Sequence, residues 1–169
     1  MRRVLITGMS GTGKSTLIAE LRRLGYKAVD TGWDPDWEEP DTSPDRGSGW
    51  VWREDRIEAL LSTEDAEVLF VSACVPNQGK FYPKFDRVIL LSAPVDATME
   101  RLRDRSNNSY GKRPEDLDEV LRNKVEIEPR LRKGASLEID TAAPLAEVVA
   151  AVLRHLDQHP STYHRRHGA

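Results

Sequence analysis

The sequence predicts an α/β fold, a five-stranded parallel sheet flanked by helices in a three-layer arrangement. Three observations predict it. Strand-length apolar runs alternate with helix-period segments, as parallel strands joined by crossover helices require. Two of those runs, Val68-Leu69-Phe70-Val71 and Val88-Ile89-Leu90-Leu91, are apolar without alternation, which suits strands buried on both faces. Finally, the glycine-rich run GMSGTGKST, residues 8–16, joins the first strand pattern to the first helix pattern.

Each element follows from its own residues. Val4-Leu5-Ile6 is the first strand. After the glycine-rich run, Leu17, Ile18, Leu21 and Leu24 recur at helical spacing, and Gly25 is suited to end that helix. Residues 26–30 form a short second strand, and 67–74 and 87–92 hold the two apolar runs. Residues 94–105 and 114 to about 130 read as helices, each opening with a proline at an early position. Leu137 and Ile139 mark the last strand. Pro144 then starts a helix with Leu145, Val148, Val149, Val152, Leu153 and Leu156 on one face.

Two segments break this rhythm. Residues 32–49 are rich in Asp, Glu, Pro and Ser and carry Trp33 and Trp37, with Trp50 and Trp52 following. A loop of that length inside a compact domain is functional or disordered, and so many tryptophans argue against plain disorder. The second segment, SNNSYGKR at 106–113, has the Asn, Ser and Gly content of a mobile loop between helices.

The run 8–16 fits G-x-x-x-x-G-K-[ST], the phosphate-binding P-loop, with a strand before it and a helix after it. That context predicts a P-loop NTPase fold. Gly8, Gly11 and Gly13 let the backbone bend closely around phosphates, and Met9, Ser10, Thr12 and Thr16 complete the nest. The helix starting near Lys14 adds its positive dipole end. Lys14 is expected to reach the β- and γ-phosphates, and the Ser15 hydroxyl to ligate Mg²⁺.

Bulk properties narrow the classes. The 169 residues suit one domain, expected over 1–159, with a polar tail at 160–169. A net charge of −3 argues against a general nucleic-acid binder. One cysteine, Cys74, permits no internal disulfide and fits a reducing compartment. No signal peptide fits the N-terminus and no apolar run is long enough to span a membrane. A cytoplasmic protein is expected, a monomer with a dimer left open. Three of the four histidines lie at or beyond His159 and read as solvated.

A short P-loop chain with two such insertions resembles the small-molecule kinases of the shikimate, gluconate and adenylate kinase-like group. The resemblance implies ATP and Mg²⁺ as cofactors and a small-molecule acceptor. It implies an acceptor-binding insertion at about 32–62 and a lid at about 106–113. In the segment ERLRDR it implies that Arg101 stacks on the base and Arg105 contacts phosphates, which suits a guanidinium. The segment IDTAAPLAEV resembles the strand-loop-helix that contacts adenine in these kinases, here through Thr141, Ala142, Ala143 and Pro144. Arg122 and Arg130 match positions where related enzymes clamp the transferring phosphoryl group.

Departures from the pattern bear on the acceptor. Adenylate-type kinases grip an acceptor phosphate with two arginines, and the matching positions here are Asp36 and Asn77. Losing them costs about 1.5–3 kcal/mol per charged hydrogen bond. Asp34, Asp36, Glu38, Glu39 and Asp41 add negative charge, while Arg46, Arg53 and Arg56 could offset it by folding inward. A neutral, hydroxylated or cationic acceptor is expected. Shikimate-type kinases carry Asp-x-Asp at the end of the second strand; Asp30 keeps the first aspartate and Gly32 replaces the second. The resemblance gives Asp30 the task of orienting the acceptor hydroxyl or accepting its proton, with Asp34 second. Trp33, Trp50 and Trp52 either wall the acceptor pocket or staple the insertion to the core. Asn77 and Gln78, followed by Lys80, Phe81 and Tyr82, stand where they could read an acceptor. Cys74 sits beside them and reads more as a buried filler than as a nucleophile. Ser72, Ala73 and Cys74 occupy the place where many P-loop NTPases carry a metal-orienting acid, which weakens a motor ATPase or GTPase reading.

The expected activity is therefore ATP-dependent phosphoryl transfer to a hydroxyl, with Lys14 and Arg105 stabilising the migrating charge. The alternatives are a nucleoside-monophosphate kinase and a nucleotide-binding regulatory module.

Overall fold

A computed structural model describes residues 1–43, 49–106 and 109–158. The expected tail, His159, Arg46 and part of the expected lid (107–108) lie outside the described residues. Five strands form a parallel sheet: β1 (Arg2–Thr7), β2 (Lys27–Asp30), β5 (Val68–Ala73), β6 (Arg87–Ser92) and β7 (Leu137–Asp140). Their spatial order is β2-β5-β1-β6-β7, with all pairs parallel. Strand β1 is central because its apolar run is needed on both faces. Val4, Leu5 and Ile6 are all fully buried.

The pleat divides the core in two. Val4 and Ile6 point to the face covered by α1 (Lys14–Arg23) and α6 (Leu145–Asp157), against Leu17, Ile18, Leu21, Val149 and Val152. Leu5 points to the other face, against Trp52, α2 (Glu54–Leu61) and the 3₁₀ turn Gln78–Lys84. A third apolar cluster, Met9, Leu90 and Leu131, sits under the P-loop end of the sheet. Among the described residues no helix is long and apolar enough to cross a membrane.

The helical run expected from 114 to about 130 is two helices, α4 (Pro114–Glu126) and α5 (Glu128–Gly134), hinged at Ile127. Pro129 is the reason: it lacks an N–H and its ring would collide with the preceding turn of a continuous helix. The insertion expected as a loop also carries structure. Strands β3 (Glu38–Pro40) and β4 (Trp50–Trp52) pair as an antiparallel ribbon with Glu38 opposite Trp52. Helix α3 (Val95–Asp104) leads to residues 105–113, and α4 follows.

The tryptophans of the insertion separate into two fates. Trp52 is fully buried, its Nε1 donates to Thr31 Oγ1 at 2.8 Å, and its ring meets Phe81 edge-on. It staples the ribbon to the core and walls no open pocket. Trp33 and Trp50 are exposed.

Candidate active site

The loop between β1 and α1 is shaped by glycines that no other residue could replace without movement. A Cβ on Gly8 would lie 2.4 Å from the Leu91 carbonyl oxygen. Gly13 caps α1 in the left-handed region, at φ 93°. No side chain caps the first turn of α1, so its N–H groups stay directed into the loop. Lys14 Nζ reaches back over the loop and donates to Gly8 O at 2.6 Å and Met9 O at 3.1 Å. Burial pulls the Lys14 ammonium below its ordinary range and Arg105 adds to this, while Cys74, Asp30 and Glu38 oppose it. Met9 and Thr12 are buried; Ser10 is half-buried, and Ser15 and Thr16 are exposed on the first turn of α1.

Around this loop the chain brings three elements together. Arg101 on α3 donates to Gly11 O at 3.3 Å and to Thr141 Oγ1 at 2.9 Å, and its other terminal nitrogen donates to Thr141 O. Thr141 Oγ1 in turn lies 2.8 Å from Thr12 O. P-loop, α3 and the segment after β7 are thus tied through one guanidinium, with Ala142 and Pro144 exposed and Ala143 half-buried beside them. Arg105, just past α3, donates to Tyr110 O at 2.7 Å and lies 5.9 Å from the Tyr110 ring centroid. Its Nε is buried without a hydrogen-bond partner among the described residues, and burial lowers its pKa. The ring of Tyr110 lies 5.9 Å from that of Trp33, which joins the expected lid to the expected acceptor insertion.

These groups fit a nucleoside triphosphate. Two desolvated cations, an uncapped helix N-terminus and a guanidinium N–H with no partner among the described residues share a need for anionic oxygens. Mg²⁺ fits as well, through Ser15 and phosphate oxygens. Among the described residues no three His, Cys, Asp or Glu side chains form a metal cage, and Mg²⁺ commonly relies on few protein ligands.

Facing the loop is an acidic wall. Asp30 Oδ1, at the end of β2, accepts from Ser72 Oγ at 2.8 Å and from Gly32 N at 3.3 Å. Ser72, at the strand end where an acid was absent from the sequence, therefore orients the acid of the neighbouring strand. Asp34 is half-buried and its Oδ1 accepts from Asp36 N at 2.9 Å. Glu38 is the residue that sequence reasoning missed as a site group. It is 5 % exposed, and the Trp33 N–H, 3.2 Å from Oε2, is the one hydrogen bond to its carboxylate among the described residues. Burial, with help from Asp30 and Asp34, pushes its pKa up to about 7 against the pull of Lys14 and of the Trp33 N–H. Its cross-strand partner is the buried Trp52, and opposite residues of an antiparallel pair share a face. That pairing turns Glu38 inward, a signal legible only once the register is known.

The family profile described as an AAA domain, AAA_18, matches residues 4–128. The chain belongs to the AAA_18 family. The matched span runs from β1 to the start of α5 and so contains the P-loop, the acidic wall and Arg105. No curated protein matches the chain significantly by sequence. Its fold is similar to that of shikimate kinase from Acinetobacter baumannii in complex with shikimate, at a TM-score of 0.67 and 16 % identity over 95 % of this chain and 96 % of that one. Deoxyadenosine kinase from M. mycoides with bound dATP aligns at a TM-score of 0.62 and 14 % identity, covering 93 % and 100 %. A sugar kinase from Janibacter sp. HTCC2649 aligns at 0.57 and 19 %, covering 95 % and 96 %. The chain thus has the fold of the P-loop small-molecule kinases.

Several expected site residues stand elsewhere. The Asn77 amide pins β4, accepting from Trp52 N at 2.9 Å and donating to Trp52 O at 3.0 Å. Gln78 Nε2 donates to Thr7 Oγ1 at 3.0 Å and Tyr82 OH at 2.9 Å, and its Oε1 accepts from Val75 N. Both side chains are buried and spent on the frame, so neither reads an acceptor directly. Cys74 packs against the Met9, Leu90 and Leu131 cluster, and burial pushes its thiol up, which makes it a neutral filler. Arg53 donates to Pro35 O at 3.3 Å and lies 4.0 Å from Glu39, holding the ribbon in place of folding inward. Arg56, Arg122 and Arg130 are exposed.

Proposed function

We propose that the chain transfers the γ-phosphoryl group of Mg-ATP to a hydroxyl of a small, non-phosphorylated acceptor. The observation that carries this reading is the acidic wall of Asp30 and Glu38 opposite Lys14, with Asp34 beside Glu38. Such a wall repels a dianionic acceptor and tolerates a neutral or cationic one. The fold likeness to kinases whose names specify shikimate, a sugar and deoxyadenosine supports it, since none of those acceptors is a phosphate ester.

The residues divide the task. Backbone N–H groups from Gly8 to Thr16 hold the phosphates, and Lys14 and Arg105 stabilise charge moving from γ-phosphate to leaving group. Ser15 holds Mg²⁺, which supplies charge neutralisation across the phosphates. Arg101 and the Thr141–Pro144 segment border the base. Asp30, fixed by two donors, orients the acceptor hydroxyl; Trp33 and Asp34 border the acceptor. Tyr110, packed on Arg105, shields that guanidinium from water.

The test is ADP release from Mg-ATP against acceptor pools sorted by charge. Stimulation by neutral or amino alcohols, lost in Lys14→Ala, supports the reading. Stimulation by nucleoside monophosphates alone would replace it with a monophosphate kinase. Tight ATP binding with no stimulation by any pool would favour a nucleotide-binding regulatory module.

A further inference from the structure

Resting on that reading, we propose that Glu38 accepts the proton of the acceptor hydroxyl during transfer. Three features of its placement carry the inference. The carboxylate is buried on a ribbon whose register is pinned by Trp52 and Asn77, which fixes the face on which it sits. One N–H, from Trp33, satisfies it, which leaves lone pairs for an incoming hydroxyl. The charged or titratable groups acting on it are Lys14 of α1, Asp30 of β2, Asp34 in the turn and Cys74 after β5, which are the groups bordering the reacting centre. Asp30 and Glu38 then have separate tasks: the first is fixed by two donors and holds the hydroxyl, the second takes its proton.

The step balances. The acceptor oxygen forms a bond to the γ-phosphorus, and the bond from that phosphorus to the bridging oxygen breaks with its electron pair leaving on ADP. The hydroxyl proton moves to Glu38 and from there to solvent. A carboxylate whose affinity for protons lies near neutrality suits this late transfer, because the transition state is loose and the proton leaves only as the new bond forms.

The test uses Glu38→Gln, which keeps shape and an oxygen for the Trp33 N–H. Acceptor phosphorylation should fall about 100- to 10,000-fold in kcat, with affinity for a non-hydrolysable ATP analogue unchanged. The wild-type kcat should rise with pH through about 7, and the residual activity of the variant should lack that limb. An independent readout is tryptophan fluorescence against pH without substrates: a transition near 7 is expected in the wild type and absent from Glu38→Gln. A variant with wild-type kcat and an intact limb, or a wild type with no fluorescence transition, overturns the role of Glu38. A wild type that phosphorylates no acceptor overturns the kinase reading instead, whatever the fluorescence shows.

Discussion

Glu38→Gln should stabilise the folded protein, and only above acidic pH. The carboxyl is moved from an ordinary 4.5 to about 7 by burial and by the neighbouring Asp30 and Asp34. Below 4.5 it is protonated in both folded and unfolded chains, so it contributes no pH dependence. Between 4.5 and about 7 the unfolded chain ionises it while the folded chain keeps the proton, so stability falls as pH rises. Above about 7 both states are ionised and the penalty is constant. At about 1.4 kcal/mol per pH unit, the full penalty is about 3 kcal/mol. Glutamine, never charged, avoids it. For a domain of this size about 1 kcal/mol moves Tm by about 2–4 °C, so the variant should melt about 6–12 °C above wild type at pH 8.5 and close to it at pH 4.5. Thermal melts of both proteins across that range check the prediction. A difference in Tm that does not change with pH would refute the reasoning, because it would mean that Glu38 titrates alike in the folded and unfolded chains.

Other substitutions test other parts of the frame. Lys14→Ala should remove transfer and weaken ATP binding by isothermal titration, since the ammonium held over the P-loop is lost. Asn77→Ala should cost about 2–3 kcal/mol in urea unfolding, because it strands the buried Trp52 N–H and carbonyl. Gly111→Ala should uncouple the enzyme: Gly111 has φ 88° and a Cβ there would lie 2.8 Å from Leu102 Cβ, so the segment lifts from α3. The ratio of phosphorylated acceptor to ADP released should fall. Trp33→Ala should lower the same ratio more mildly by removing the ring partner of Tyr110.

The sheet was legible because its signals are local. The run Val4-Leu5-Ile6 and the two later apolar runs need burial on both faces, and GTGKS between strand and helix has one common use. Arg101 and Arg105 stood out only through the resemblance carried by ERLRDR, and the structure ties Arg101 to Gly11 and Thr141 and Arg105 to Tyr110. What sequence could not supply was register. In the acidic run, Glu38 and Glu39 differ only in which way the ribbon turns them, and the pairing of Glu38 with Trp52 decides it. Asn77 and Gln78 look like ligand readers in a loop, yet their amides are consumed by Trp52 and Thr7, partners 25 and 71 residues away in sequence. The break at Ile127 was within reach, since Pro129 alone requires it.

The central claim is transfer to an unphosphorylated hydroxyl, and the fate of the γ-phosphoryl group tests it most directly. ATP carrying ¹⁸O in its γ-phosphoryl oxygens would be incubated with protein, Mg²⁺ and a pooled metabolite mixture, and the products followed by mass spectrometry. The account predicts the labelled phosphoryl group on the hydroxyl of a neutral or cationic component, and none when Lys14 is alanine. Label found only in inorganic phosphate, or only on nucleoside monophosphates, would contradict it.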